Sequence, residues 1–475
     1  MAFRHGVYVK EQESELKGLL LARNPVVVVG TAPINMGDVN CVNKPVLINN
    51  VTDATKYFGG VNDIEGFTIS EALFVAFQVF GVYPIICINV LDPATHKATK
   101  TYENLAVVNG RATISETGII PSSVIVKKSG ETAAITEFNI SFDTTGKATI
   151  ILEDKTITKI EGTYDHLDPS KVLETDIIGS IDPITLEKKG LECLNDIFPK
   201  YSMIPSYVIA PSYNSNTLRA ILDTKASLIS SKYTAMTIFD IPETTKYGEV
   251  IEFKKENNWI DEEQILTYGK IKFGGKYYNQ SVFLAMLSAN TDADNDGVPY
   301  ESPSNLNIKA EGIAIKGEKG YTDLILGEEE ANILNENGIV TVIQRPNGTV
   351  AWGNRTSCYQ PGGNTDPKDA IIPAKRMFKW LANNLILNCA TDVDRPMTFS
   401  KASNIQMKVN TFLNSLTARE KLLGGRVEFK KGENPAVNLI DGKFTWHIYI
   451  GIVGPGEDLE FILEHDADYV NGYFA

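Results

Sequence analysis

The sequence predicts an α/β (α+β) core of mixed sheets with helices, a small all-β domain inserted into that core, and an extended strand arm at each terminus. Two continuous apolar runs, "PVVVVG" at 25–30 and "YPIICINV" at 83–90, predict strands that are covered on both faces. The segment "TISEALFVAFQVFG" at 68–81 lies between them and predicts a helix that ends at Gly81. Strand, helix and strand in this order are typical of an α/β core.

The opening segment "GVYVKE" at 6–11 has the composition of a strand, because Val7, Tyr8 and Val9 are β-branched or aromatic. No turn and no second strand follow it; a charged, polar stretch does. A strand leaves its backbone N–H and C=O groups unpaired until it meets a neighbour. We therefore expect this strand to pair with another chain, in the mode called β-augmentation.

A change in composition marks the inserted region. Residues 98–178 are rich in Thr, Ile, Val, Lys and Gly, and short alternating runs are separated there by turns such as "KSGE" and "DTTGK". Short strands with regular turns predict a small β domain. The α/β pattern then returns, with predicted strands at 206–209 and 235–239 and an irregular region at 270–305.

The last third of the chain begins at a predicted hairpin around Asn347-Gly348. Two amphipathic helices follow, the first over 374–387. Near the end, Phe444, Trp446, Ile448 and Ile450 alternate with polar or small residues, which predicts a half-buried strand. A second strand, Leu459 to Leu463, is predicted after the Pro-Gly turn. The predicted units are a 1–23 arm, a 24–97 first core part, the 98–178 insertion, a 179–345 middle core part and a 346–475 C-terminal domain with its strand arm.

Charge and cysteine usage exclude several classes of protein. The net charge of −14 argues against a protein that wraps nucleic acid, which needs a basic field. The five cysteines are far apart and none forms CxxC, so we expect a reducing compartment and no disulfide framework. The most apolar window, 71–92, contains Gln78, a Gly-Val-Tyr-Pro break and Asn89. It therefore predicts a buried helix, turn and strand, with no direct membrane insertion.

The sequence carries no complete motif for catalysis or for a cofactor. "GTAP" after the first strand lacks the glycines of the dinucleotide fingerprint. "GKIKFGGKY" at 269–277 resembles a P-loop, but Gly275 stands where Lys is needed and Tyr277 stands where Ser or Thr is needed. None of the five histidines forms HExxH or a zinc pair. We predict no enzyme and no cofactor; a soluble α/β enzyme with a β-domain insertion is the alternative, because catalytic groups can converge from distant segments.

One acidic string imitates the start of a calcium loop. Asp292, Asp294 and Asp296 alternate before Gly297, as in an EF-hand. The twelfth position is Pro303, where a bidentate Glu is required. The string therefore favours an acidic surface turn over a metal site.

The polar and aromatic segment "WGNRT" at 352–356 follows the hairpin. Arg355 has the geometry to bind a phosphate or a carboxylate. Because no other phosphate-binding element is present, we favour a structural role, in which Trp352 packs and Arg355 ties the loop to a neighbouring acid.

Several segments together resemble one family, the contractile tail sheath proteins of contractile-tailed phages and R-type bacteriocins. The hairpin, the "WGNRT" loop and the long helix after it form the most specific match, and the resemblance is weaker over 98–178. The matching segments are "GVYVKE", "NPVVVVGTAP", "SEALFVAFQVFGVYPIICINVLD", "IAPSY", "TAMTIFDIP", "LNENGIVTVIQRPNGTVAWGNRT", "PAKRMFKWLANNLI" and "GPGEDLEFILEHD".

The resemblance implies a structural protein of a virion or phage-like particle tail, assembled in the cytoplasm of a host bacterium. Subunits would form hexameric rings stacked in a helical sheath around an inner tail tube protein, with baseplate and tail terminator proteins as further partners. Contraction would drive the tube through a target cell envelope without nucleotide. Subunits would be linked by exchanged strands, and the residues expected in the two arms are Val7, Tyr8, Val9, Leu459, Phe461 and Leu463.

The resemblance also suggests a candidate contact with the inner tube. The predicted helix over 374–387 carries Lys375, Arg376 and Lys379. These cations form a possible electrostatic contact with the tube. The alternative is that the charged face of the helix meets solvent.

Overall fold

The computed structural model describes residues 24–363, 365–466 and 468–469. The predicted N-terminal arm, with Val7, Tyr8 and Val9, lies outside the described residues. The first core part follows its apolar runs: Val26 to Val29 are buried on both faces. Its elements are β1 (Val26–Gly30), β2 (Pro45–Ile48), α1 (Val51–Phe58), α2 (Thr68–Phe74), which a π-helical segment (Val75–Phe80) extends, and β3 (Ile85–Asn89).

The next stretch, residues 97–167, is described throughout and consists of strands and turns without an α-helix. Its strands are β4 (Lys97–Ala106), β5 (Arg111–Thr117), β6 (Ile125–Lys128), β7 (Ala134–Ile135), β8 (Phe138–Phe142), β9 (Lys147–Leu152) and β10 (Lys159–Leu167). They form two sheets, ordered β4-β10-β6-β7 and β5-β9-β8. Ile114, Val126, Ile150 and Ile160 belong to a hydrophobic cluster separate from that of the main core.

The middle of the chain contains a helix in the region that the sequence predicts to be irregular. This helix, over 280–294, is buried on all sides along Gln280 to Ser288. The elements are α3 (Glu174–Ile178), α4 (Ile197–Tyr201), β11 (Tyr207–Ile209), α5 (Asn216–Ser227), β12 (Met236–Asp240), α6 (Val250–Glu256), β13 (Gln264–Thr267), β14 (Lys270–Phe273), β15 (Lys276–Tyr278), α7 (Gln280–Asp294), β16 (Gly312–Gly317), β17 (Gly320–Leu324), α8 (Glu328–Asn335), β18 (Ile339–Arg345) and β19 (Gly348–Trp352).

The C-terminal part contains two long helices and a small sheet. Its elements are α9 (Pro367–Ala370), α10 (Ile372–Cys389), α11 (Phe399–Ala418), β20 (Gly424–Glu428), α12 (Ala436–Ile440) and β21 (His447–Gly451). Helix α10 joins this part to the core, because Ile372 packs into the main hydrophobic cluster while Met377 and Trp380 pack into a C-terminal one. The structure thus has a mixed α/β fold with several sheets and helices.

The main sheet has eight strands in the order β19-β18-β13-β12-β11-β1-β3-β2. The strands from β18 to β3 along this order run parallel, and β19 and β2 add antiparallel edges. The chain builds outward from β1 to one side and then, from β11, to the other. The topological switch point therefore lies between β1 and β11. None of the helices formed by the described residues is long and apolar enough to cross a lipid bilayer.

Candidate intersubunit surface

Residues 452–466, which we call the C-terminal tail, have no secondary structure and leave large apolar side chains in solvent. Leu459 is 74%, Phe461 84% and Leu463 97% exposed. The predicted second strand at 459–463 is therefore not formed within the described chain, because a strand needs a partner for its backbone groups and none lies beside it there. In an extended segment Leu459, Phe461 and Leu463 lie on one face and Ile462 on the other, so the segment can still pair as a strand elsewhere.

The small sheet of β20 and β21 offers one open edge. The strands pair antiparallel, with Val427 opposite Ile448. The outer edge of β20 is covered by α11, since Asn410 accepts the N–H of Val427 at 2.9 Å and Gln406 donates to its carbonyl at 2.8 Å. No described residue forms a strand along the outer edge of β21. An uncovered edge presents unpaired N–H and C=O groups to another chain.

The C-terminal tail is anchored near its start to the "WGNRT" loop. Arg355 on the "WGNRT" loop donates to the Glu457 carboxylate of the tail, and its guanidinium lies 4.5 Å from the centre of the Tyr359 ring. The loop itself is bonded to the start of α10: Ile372 N donates to the Asn354 carbonyl at 2.8 Å. The predicted structural role of Arg355, as a tie to a neighbouring acid, is confirmed.

Asn24, the first residue that the structure describes, lies against α10. In the orientation that its neighbours require, the Asn24 amide accepts from Trp380 Nε1 at 3.1 Å and donates to the Ile204 carbonyl at 3.2 Å. Asn24 thus contacts the helix that joins the core to the C-terminal part.

The three cations predicted as a tube contact are not a surface cluster. Arg376 and Lys379 are 4% and 7% exposed. Arg376 binds Asp292, Lys379 Nζ lies 2.7 Å from a Glu263 carboxylate oxygen, and Lys375 lies 2.8 Å from Asp369. The solvent-facing alternative does not hold either, because this face of α10 is packed against the core. The cations hold α10 in place and are not available to a tube.

Carboxylates of the acidic string also bind partners within the chain. Asp292 and Asp294 lie in the last turn of α7, so the predicted surface turn is wrong at Asp292, whose side chain is 14% exposed and bound to Arg376. Asp296 lies 3.7 Å from Arg419. Across the described residues, no three His, Cys, Asp or Glu side chains come together in a way that could hold a metal ion.

A cleft of about 870 Å³ lies at the carboxyl ends of β1 and β11, where a doubly wound sheet binds its ligands. Its inner polar groups bind one another. The Glu71 carboxylate accepts the N–H of Asn279 at 2.5 Å and its amide at 2.8 Å, and Lys270 Nζ donates to Asn279 Oδ1 at 2.7 Å. Burial raises the pKa of Glu71 to about 7, against the opposing charge of Lys270. Glu71, Asn279 and Lys270 thus form one hydrogen-bonded network inside the cleft.

Two functional features lie beyond what sequence reasoning found. Glu457 stands 102 positions from Arg355, so only the fold brings the pair together. Gln406 and Asn410 lie on one face of α11 at i, i+4 spacing, but nothing in the sequence says that this face covers a sheet edge. The sequence signal for this pair is an acidic residue, Glu457, directly after the turn-forming Gly-Pro-Gly.

The fold is that of a contractile sheath. A chain in the cryo-EM structure of the anti-feeding prophage baseplate matches 98% of this chain and 100% of its own length, with 15% identity and a TM-score of 0.56. A chain in the contracted-state sheath complex of PVC, an extracellular contractile injection system, matches 99% of both chains, with 15% identity and a TM-score of 0.57.

Sequence relatives point to the same class. The tail sheath protein of Burkholderia phage BcepMu is 26% identical over 489 aligned positions, which cover 98% of each chain. No protein-family model matches the chain. The resemblance predicted from the sequence is confirmed: the chain is related over nearly its whole length to tail sheath proteins.

Proposed function

We propose that this protein is the sheath subunit of a contractile tail, which polymerises around an inner tube and contracts to drive the tube through a target cell envelope. The observation that carries the proposal is the likeness to a phage tail sheath protein over 98% of both chains. The likeness includes the segments around the hairpin, the "WGNRT" loop and α10. The protein works as a structural element and not as an enzyme.

Strand exchange links the subunits. The C-terminal tail supplies an exposed apolar strand, Leu459 to Leu463, and β21 supplies an open edge. The N-terminal arm, with Val7, Tyr8 and Val9, supplies a second strand from beside Trp380. Main-chain hydrogen bonds between strands hold neighbouring subunits together while their linkers change direction.

The assembly follows the architecture of its relatives. Subunits form hexameric rings stacked as a helix in the tail of a virion or phage-like particle, assembled in the bacterial cytoplasm. The tube fills the lumen, and the baseplate and the tail terminator close the two ends. A contact that does not close on itself extends a filament in this way.

The test is electron microscopy of the full chain expressed alone, beside a variant that lacks residues 1–15. We expect tubes from the full chain and a folded, non-polymerising subunit from the variant. Tubes from the variant as abundant as those from the full chain would contradict the role of the arm. A discrete particle of few subunits from the full chain, with a melting temperature raised by a nucleotide, would instead favour an enzyme.

A further inference from the structure

We propose that the ion pair between Arg355 and Glu457 is a latch that holds the C-terminal tail away from its own β21, so that the tail strand and the open edge both stay available to neighbouring subunits. The inference rests on the proposed function, because it assigns a role within strand exchange. It makes Arg355 a positioning residue for assembly.

The sequence itself favours a competing structure. Seven residues, 452–458, separate β21 from the apolar strand at 459–463, and they include Gly454, Pro455 and Gly456. A loop of this length and composition allows the chain to reverse and to pair the two strands as a hairpin. Pairing within one chain closes only a short loop, so it has an entropic advantage over pairing with a second subunit.

Such a hairpin would remove both assembly elements at once. Tyr449 would lie opposite Phe461, the edge of β21 would be occupied, and the tail strand would be consumed. The described structure contains neither this pairing nor any other at residues 459–463. Something must therefore oppose the closure that the turn sequence favours.

The Arg355–Glu457 pair has the placement to do so. It binds the tail inside the loop that a hairpin requires, between Gly451 and Leu459, and attaches it to a different part of the subunit. The side chains are 23% and 34% exposed, and Arg355 is further held by the Tyr359 ring. A cleft of about 610 Å³ lies between this loop, α8 and residues 455–458 of the tail.

The latch also limits the reach of the tail. A Cβ added at Gly454 would meet no atom within 4 Å, so the chain has room to swing at Gly454 if the pair is broken. Residues 452–457 then add on the order of 20 Å of extended chain. With the pair intact, the strand starts two residues from a fixed point, which defines the direction in which it meets a neighbour.

The hairpin of β18 and β19 contains an ion pair that serves as a matched control. Arg345 pairs with Glu328 and lies 4.5 Å from the centre of the Trp352 ring, which repeats the chemistry of Arg355 without contact to the tail. The experiment compares R355Q, E457Q and R345Q in the full chain. It measures amide exchange of residues 447–463 in dilute soluble subunits, and the yield of sedimentable tubes.

We expect R355Q and E457Q to slow amide exchange at 459–463 and to lower tube yield, each by about fivefold, the factor that a partly exposed ion pair can supply. R345Q should leave both unchanged, and the charge reversal R355E/E457R should restore them. Unchanged exchange and unchanged yield in R355Q would overturn the latch while wild-type tubes still support the proposed function. Absence of tubes from the wild type would instead contradict the proposed function.

Discussion

Arg376 on α10 donates to the Asp292 carboxylate at the end of α7, and this pair fixes the helix that joins the core to the C-terminal part. The Arg376 side chain is 3% exposed, and its guanidinium also stacks 4.8 Å from the centre of the Tyr207 ring. The bond joins Nη2 to Oδ2, and the buried Oδ1 of Asp292 and Nη1 of Arg376 have no hydrogen-bond partner among the described residues. The two charges thus depend on each other.

Removing one charge of this pair should strongly destabilise the subunit. D292N leaves the Arg376 cation buried without a counter-ion, and a broken buried pair of this kind costs about 3–5 kcal/mol. Urea unfolding of wild type and variant measures the loss. D296N is the matched control, since its side chain is 71% exposed and 3.7 Å from Arg419, and we expect a change within about 0.5 kcal/mol. Equal effects of the two substitutions would contradict this account.

Calcium should have no effect on stability. The carboxylate of Asp292 is already neutralised by Arg376, and Asp294 points along a helix turn where Asn290 donates to it at 3.3 Å. The melting temperature of the subunit with a calcium chelator should equal that with millimolar calcium. A clear fall on chelation would show that the acidic string binds the ion after all.

Glu71 should make stability depend on pH between the two pKa values of its carboxyl. Burial raises its pKa from 4.5 to about 7 in the folded chain, so the folded state binds the proton more tightly than the unfolded state. The stabilisation that the proton supplies is complete below pH 4.5 and is lost as the pH rises through about 7. Lys270 opposes the rise in pKa and Asp240 adds to it.

The measurement is the urea midpoint of wild type and E71Q across this range. The fall in midpoint between pH 4.5 and 7 should be smaller in E71Q, which has no proton to lose. E65Q is the control, because Glu65 lines the same cleft but is exposed. A slope that E71Q leaves intact would assign it to another group.

How far the sequence predicts this fold depends on whether an element has a polar face. The valine run of β1 and the "YPIICINV" strand identify themselves, because strands covered on both sides are apolar throughout. Helix α7 does not, since a helix buried on all sides has no apolar stripe and its run of small and polar residues resembles a loop. The predicted tube contact fails for a related reason: in a sequence, buried cations look like surface cations until their partners are known. This applies to Lys375, Arg376 and Lys379.

Contacts between distant segments cannot be predicted from the sequence for a different reason. The sequence predicts that Arg355 pairs with an acidic residue. It does not identify Glu457 as that residue, because two residues 102 positions apart share no local pattern. The tail strand could be predicted in composition, yet its pairing depends on a second subunit.

Substitution at Phe461 should separate folding from assembly. Its side chain is 84% exposed in the subunit, so F461D removes no packing and the melting temperature of the soluble subunit should stay within about 1 °C of wild type. In a neighbour's sheet, the same side chain would be buried, and an aspartate there would carry an unpaired charge out of water. We therefore expect tubes to be lost in electron micrographs and in sedimentation, while F461L, which keeps the apolar side chain, should still form them. Tubes of normal yield from F461D would show that this side chain stays in solvent after assembly, and the tail strand would then have to pair without burying the face that carries Phe461.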